Sequence, residues 1–148
     1  MKTSILTILA AVALALTPAA YAGKAEAGPN KGRLLENTGA ARAEFKVNDD
    51  HTVTVTFIGA DKKTATPAAA QSITVIADGK DGKKAKVEFE KKGDVLVSKG
   101  KLPEGDGYNI AVQVKEKADA KPQNFRFKLD LSICEKCKLQ EYACTCDD

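Results

Sequence analysis

Between residues 43 and 131 the chain alternates apolar and polar residues with a period of two. Successive side chains of a strand point to opposite faces, so this alternation predicts strands that bury one face. Seven segments show it, and they are rich in the β-branched and aromatic residues that fit a pleated surface. The segments are residues 43–47, 53–57, 72–77, 84–89, 95–97, 108–114 and 125–131.

The connections between these segments predict tight turns between neighbouring strands. Asn48–His51, Asp78–Gly82 and Lys92–Asp94 are short and carry the residues that such turns favour. Residues 59–71 form one longer link, and no long segment after residue 22 has helical periodicity. The pattern therefore predicts an all-β fold, a seven-stranded antiparallel sandwich of immunoglobulin or fibronectin-like type.

A second local signal supports the sandwich. The stretch from Leu102 to Ile110 is similar to the entry of the sixth strand in such folds, where a tyrosine hydroxyl bonds the backbone a few residues upstream. Tyr108 is the candidate for this tyrosine corner.

The N-terminus predicts a secretory signal peptide. Met1–Ser4 is short and basic, Ile5–Leu16 is apolar apart from one threonine, and Ala20–Ala22 is a small-x-small cleavage site. We expect cleavage after Ala22 and a periplasmic or secreted protein that does not span the membrane. An oxidising compartment of this kind permits disulfide bonds.

The chain thus divides into four predicted parts: a signal peptide (1–22), a lead-in segment (23–40) whose residues 23–30 are expected to have no fold of their own, the β-sandwich domain (41–132) and a cysteine-rich C-terminal tail (133–148). The formal net charge of the whole chain is only +3, and charges of both signs are interspersed. This distribution argues against a nucleic-acid partner.

The tail holds every cysteine of the chain, and we expect it to be irregular. Cys134-x-x-Cys137 is followed after six residues by Cys144-x-Cys146. A chain reversal between the two pairs would bring four thiolates around one tetrahedral Zn²⁺, or around the softer Cu(I) at a lower coordination number. All four cysteines are therefore candidate metal ligands.

Two other uses of the cysteines remain open. The four sulfurs could form two disulfides in either of two short-range pairings, which would hold down a tail of low apolar content. Alternatively, Cys134 and Cys137 could act as a redox pair, although no helix is predicted to lower the pKa of the first thiol. His51 is the only histidine, and we interpret it as a solvated turn residue.

Short motifs of the chain resemble a known family. Gly28-Pro29-Asn30-x-Gly32-Arg33-Leu34, the strand around Phe45 and the Leu102–Tyr108 stretch look like the N-terminal sandwich of periplasmic adaptor subunits from heavy-metal efflux systems. They also resemble small secreted relatives of that domain. In the family the first turn often carries a histidine, whereas Asn30 and Lys31 occupy those places here.

The resemblance implies a periplasmic setting and a link to metal handling. The sequence as a whole predicts a non-enzymatic accessory protein that binds Cu(I) or Zn²⁺ through Cys134, Cys137, Cys144 and Cys146. The alternative is a disulfide-stapled structural or protein-binding module that binds no metal. The expected partner is a metal ion or another periplasmic protein.

Overall fold

The computed structural model describes residues 25–35, 42–79 and 81–146. The predicted signal peptide and its cleavage after Ala22 lie outside the described residues, as do the two aspartates that follow Cys146. Within the described part of the chain, no helix is long and apolar enough to cross a membrane.

Nine β-strands and one 3₁₀ turn make up the regular structure of the described residues. The strands are β1 Arg33–Leu35, β2 Arg42–Val47, β3 Val53–Ile58, β4 Ala65–Thr66, β5 Ser72–Asp78, β6 Lys84–Lys92, β7 Val95–Ser98, β8 Tyr108–Lys115 and β9 Gln123–Leu129. The 3₁₀ turn, Glu141–Ala143, lies in the tail between the two cysteine pairs.

The strands form one antiparallel sheet that is nearly closed into a barrel. Their order is β1-β2-β3-β7-β6-β5-β8-β9, and β4 pairs with β3 beside this path. Strand β6 makes the path continuous, because Lys84–Glu88 pair with β5 while Phe89–Lys92 pair with β7. β1 and β9 are the two strands at the ends of the path.

The all-β antiparallel class is confirmed, and each of the seven predicted segments forms a strand. The seven-stranded, two-sheet sandwich is not confirmed, since the described residues contain nine strands, eight of them on one continuous path and β4 beside it. Of the two additional strands, β1 lies in the predicted lead-in and β4 in the link over residues 59–71. Both are too short for a period-two pattern to appear in the sequence.

The alternation places the apolar side of the strands inside the barrel, as the sequence predicts. Burial of this surface is the main favourable contribution to folding, at roughly 25 cal/mol per Å² of apolar area. The large apolar side chains that are almost fully buried include Leu35, Phe45, Val53, Val55, Phe57, Val75, Ile110, Val112, Val114 and Leu129.

Residues 25–35 form a hairpin that packs on β2, whereas residues 23–30 are predicted from the sequence to have no fold of their own. The Leu34 N–H donates to the Glu26 carbonyl at 2.7 Å, and the Gly28 N–H donates to the Gly32 carbonyl at 2.8 Å. Strand β1 then pairs with β2 along its full length. The hairpin therefore covers a face of β2 that would otherwise contact water.

The hairpin encloses the carboxyl group of Glu44, which is only 1% exposed. One carboxyl oxygen accepts hydrogen bonds from the backbone N–H groups of Asn30 and Gly32, each at 2.8 Å. The other oxygen accepts the Asn30 side-chain amide at 2.8 Å. The Gly-Pro-Asn-Lys-Gly turn thus supplies the donors that a buried carboxyl group requires.

Gly32 must lack a side chain for this turn to pack. A Cβ atom at Gly32 would lie 2.5 Å from the backbone oxygen of Phe45, which belongs to a central part of β2 and cannot move aside. We expect Gly32→Ala to lower the free energy of unfolding by about 1–3 kcal/mol. Gly100→Ala is the matched control, because a Cβ there meets nothing within 4 Å. Equal urea midpoints for the two variants would contradict this account.

The predicted tyrosine corner is confirmed. Tyr108 opens β8, its side chain is buried, and its hydroxyl donates to the Pro103 carbonyl at 2.9 Å. Burial, followed by the charge of Asp106, raises the pKa of Tyr108 above its usual value, so the hydroxyl keeps the proton that it donates.

Candidate metal centre

The first cysteine pair lies on a short hairpin that follows β9. The Cys134 N–H donates to the Leu139 carbonyl at 2.8 Å, and the Lys138 N–H donates back to the Cys134 carbonyl at 2.9 Å. An isolated bridge between Ile133 and Gln140 continues the pairing. These bonds lie within residues 133–140, so the hairpin fixes the backbone of Cys134 and Cys137 locally.

The turn of this hairpin directs a backbone donor at a sulfur. Lys138 adopts φ 60°, a left-handed conformation that is unfavourable for a residue with a side chain. The next residue, Leu139, donates its N–H to the sulfur of Cys137. The strained residue therefore lies where the chain must reverse sharply around a cysteine.

Between the cysteine pairs, the 3₁₀ turn docks Tyr142 and Ala143 against the barrel. Tyr142 is 2% exposed and Ala143 is fully buried. The Tyr142 N–H donates to the Asp130 carbonyl just after β9 at 3.0 Å, and its hydroxyl accepts the Val47 N–H of β2 at 2.9 Å. Tyr142 thus lies in the gap between the β1–β2 edge and β9, which we call the seam.

Three further contacts hold Tyr142 in the seam. Its ring makes an edge contact with Phe45 and stacks against Phe127, with each pair of centroids 6.3 Å apart. Its carbonyl accepts a hydrogen bond from the guanidinium of Arg33 at 3.0 Å. That guanidinium also lies 4.7 Å from the centre of the Phe127 ring, so Arg33 bridges β1, β9 and the tail.

The environment of Tyr142 is consistent with a neutral, tightly held hydroxyl. Burial is the largest influence on this group and raises the pKa of Tyr142 to about 12, against the opposing effect of the Val47 N–H. From the sequence alone, we expect the tail to have too little apolar surface to pack stably against the rest of the protein. Tyr142 and Ala143, between the cysteine pairs, nevertheless bury apolar surface against the barrel.

The second cysteine pair follows directly from the docked turn. The Cys144 N–H donates to the Glu141 carbonyl at 3.1 Å, which closes the turn. The Cys146 N–H lies 3.4 Å from the sulfur of Cys144 and donates to it. The positions of Cys144 and Cys146 therefore depend on the docking of Tyr142 and Ala143 in the seam.

The two halves of the tail bring all four sulfurs together. The sulfurs of Cys134, Cys137, Cys144 and Cys146 all lie within 4.8 Å of one another. The Cys137 and Cys144 sulfurs are 3.5 Å apart, too far for the bond of about 2.0 Å in a disulfide. A tetrahedron of sulfurs around Zn²⁺, with metal–sulfur bonds of about 2.3 Å, has edges of about 3.8 Å. The four cysteines, all with free thiols, could therefore hold a metal ion.

The neighbouring thiols and backbone N–H groups shift the pKa values of Cys137, Cys144 and Cys146 in different directions. The Leu139 N–H is the largest influence on Cys137 and, with hydrogen bonds from the other three thiols, lowers the pKa of Cys137 to about 7. At Cys144 the Cys146 N–H acts to lower the pKa, but the neighbouring thiols and burial together raise the pKa of Cys144 to about 12. The hydrogen bond with Cys137 also raises the pKa of Cys146. Cys137 is thus deprotonated more readily than Cys144 or Cys146.

The cluster is enclosed on one side and open on the other. Cys134 is only 6% exposed, whereas the other three cysteines are partly exposed. Ile133, beside the buried cysteine, is 57% exposed, which is unusual for a large apolar residue. An ion from solution would therefore approach from the side of Cys137, Cys144 and Cys146.

The structure brings together all four cysteines that the sequence singles out. His51 lies in the turn between β2 and β3 and is not part of the four-cysteine cluster. Sequence reasoning missed Arg33 and Tyr142, which position the tail. The available signal for Tyr142 was the Tyr-Ala pair between the two cysteine pairs.

Comparison of the chain with protein-family models, with curated proteins and with solved structures gives no match, so its function is argued from this geometry.

Proposed function

We propose that the protein is a non-enzymatic accessory protein that binds a soft metal ion through Cys134, Cys137, Cys144 and Cys146. The observation that carries the proposal is the convergence of four free thiols within 4.8 Å. Zn²⁺ would take all four sulfurs in a tetrahedral site, and Cu(I) would take two or three of them. Thiolate ligands disfavour Ca²⁺ and Mg²⁺, which prefer oxygen.

The hydrogen bonds around the sulfurs support this proposal. Backbone N–H groups donate to Cys137 and Cys144, one in each half of the tail. Such bonds favour the thiolate form, which is the form that binds metals.

The proposed setting is the periplasm or another extracytoplasmic space. It rests on the apolar N-terminus with its small-x-small site and on the resemblance to adaptor subunits of heavy-metal efflux systems. In that setting the partner is the metal ion itself, or a second periplasmic protein that delivers or receives it.

Metal and thiol counting on the reduced chain tests the proposal. We expect about one equivalent of Zn²⁺ or Cu(I) per chain, and thiols that react with a chromogenic disulfide only after a chelator removes the metal. Co²⁺ as a spectroscopic substitute should give the absorption of a tetrahedral, thiolate-bound ion. The double variant Cys137→Ser, Cys144→Ser should lose stoichiometric binding, because half of the ligands are gone.

His51→Ala is the matched control, since it removes the only imidazole of the chain and should leave binding unchanged. A reduced chain that binds no metal would refute the proposal. Native protein that has no free thiols and a mass lower by four hydrogens would instead identify the tail as a disulfide-stapled module.

A further inference from the structure

The metal centre and the seam share the same few residues of the tail. Tyr142 and Ala143 fill the seam, and Cys144 follows them directly. Contacts from β1, β2 and the end of β9 hold Tyr142 through its carbonyl, its hydroxyl and its N–H, respectively. What happens at the cluster must therefore affect the closure of the barrel.

We infer that the tail is a metal-controlled strap: metal bound at the four cysteines holds Tyr142 in the seam, and loss of the metal releases it. This inference rests on the proposed function, because it assigns a conformational consequence to the same site. The strap joins the β1–β2 edge to β9, the two ends of the strand path.

The ligands divide into two groups that are held in different ways. Cys134 and Cys137 belong to a hairpin whose bonds lie within residues 132–141. Cys144 and Cys146 are placed by the docked 3₁₀ turn, whose anchor is Tyr142. A metal ion that binds both groups ties the docked turn to the hairpin.

The coupling is reciprocal by thermodynamic necessity. If docking of Tyr142 raises the metal affinity by some factor, the metal raises the docking equilibrium by the same factor. In the docked tail two of the four ligands are already in place, so the ordering of those residues does not oppose binding. The metal in turn adds bonds that the undocked tail cannot make.

Paired tyrosine variants of the full, reduced chain test the inference through metal affinity. Tyr142→Phe loses the bond to the Val47 N–H, and Tyr108→Phe loses the bond to the Pro103 carbonyl, both of 2.9 Å. Each variant loses one buried hydroxyl bond, but only Tyr142 lies on the tail. We expect Zn²⁺ affinity to fall about fivefold in Tyr142→Phe and to stay within about twofold of the parent protein in Tyr108→Phe. Tyr142→Ala should lower the affinity for Zn²⁺ by about tenfold or more.

Chymotrypsin cleavage after Tyr142 in the unmodified chain provides a second readout that requires no variant. Cleavage should be about tenfold or more faster with a chelator than with saturating Zn²⁺, because the released tail exposes this bond. Equal cleavage rates in the two states, or unchanged affinity in both Tyr142 variants, would overturn the inference while metal binding itself stands. A parent chain that binds no Zn²⁺ would overturn the proposed function and the strap together.

Discussion

Removing the bound metal from the reduced protein is expected to lower its unfolding temperature by roughly 10 °C or more. An ion that binds the folded cluster and not the unfolded chain stabilises the fold by mass action. At a free metal concentration about a thousand times the dissociation constant, this contribution is about 4 kcal/mol. The measurement is thermal unfolding followed by circular dichroism, with saturating Zn²⁺ and with a chelator.

The double variant Cys137→Ser, Cys144→Ser separates metal loss from other effects of the chelator. Both residues are partly exposed, so the substitutions should leave the barrel folded. The unfolding temperature of this variant should be the same with Zn²⁺ and with chelator, and close to that of the metal-free parent protein. If the unfolding temperature of the parent protein is the same with Zn²⁺ and with chelator, metal binding at the cluster contributes nothing to the stability of the fold.

Glu44→Ala is expected to lower the free energy of unfolding by about 3–5 kcal/mol. The substitution leaves the backbone N–H groups of Asn30 and Gly32 without their acceptor, next to a cavity where the carboxyl group was. Glu44→Gln should be milder, because its amide oxygen can still accept both N–H groups. Urea unfolding of the parent protein, Glu44→Gln and Glu44→Ala measures this order of stability directly.

Lys46→Ala is the control for this series. Lys46 lies two residues further along β2 on the same side, but it is exposed. Its removal should change the free energy of unfolding by no more than about 0.5 kcal/mol. If Glu44→Ala were as mild as Lys46→Ala, the hairpin over residues 25–35 would not be held by the buried carboxyl group.

The strands were predictable because the period of two is a local property of the chain. Predicted segments over 53–57 and 72–77 differ from β3 and β5 by one residue at one end. The last prediction, 125–131, is displaced from β9 because Leu131 still packs on the core after the strand has ended. Apolar side chains report burial, and burial does not stop where the backbone pairing stops.

The strand order was not predictable in the same way. The pairing of β3 with β7, and of β5 with β8, joins segments far apart in the sequence, and alternation does not say which neighbours meet. The continuity through β6 depends on one strand bonding to β5 with its first half and to β7 with its second. Nothing in the residues 84–92 distinguishes the two halves beforehand.

Glu44 shows how tertiary contact overrides a pattern. Alternation assigns it to the water-facing side of β2, and it does lie on that side. It is buried because the hairpin over residues 25–35 covers that face, and the turn that covers it was visible only as a run of Gly, Pro and Asn. Recognising the donors required the fold that brings Asn30 and Gly32 to the carboxyl group.

For the candidate site, the spacing of the cysteines predicted that they meet but not what holds them together. A Cys-x-x-Cys pair and a Cys-x-Cys pair separated by six residues can meet after any reversal of the chain. The reversal that forms here depends on Tyr142 packing against both Phe45 and Phe127, which are more than 80 residues apart in the sequence. Only the folded barrel creates that position.

The division of β6 between two neighbours has a mechanical consequence. In a sandwich of two separate sheets, one layer can slide or peel away while the other keeps its hydrogen bonds. Here any such displacement would have to break the hydrogen bonds that join one half of β6 to β5 or the other half to β7. The sheet that carries the cysteines is therefore expected to fold and unfold as one unit.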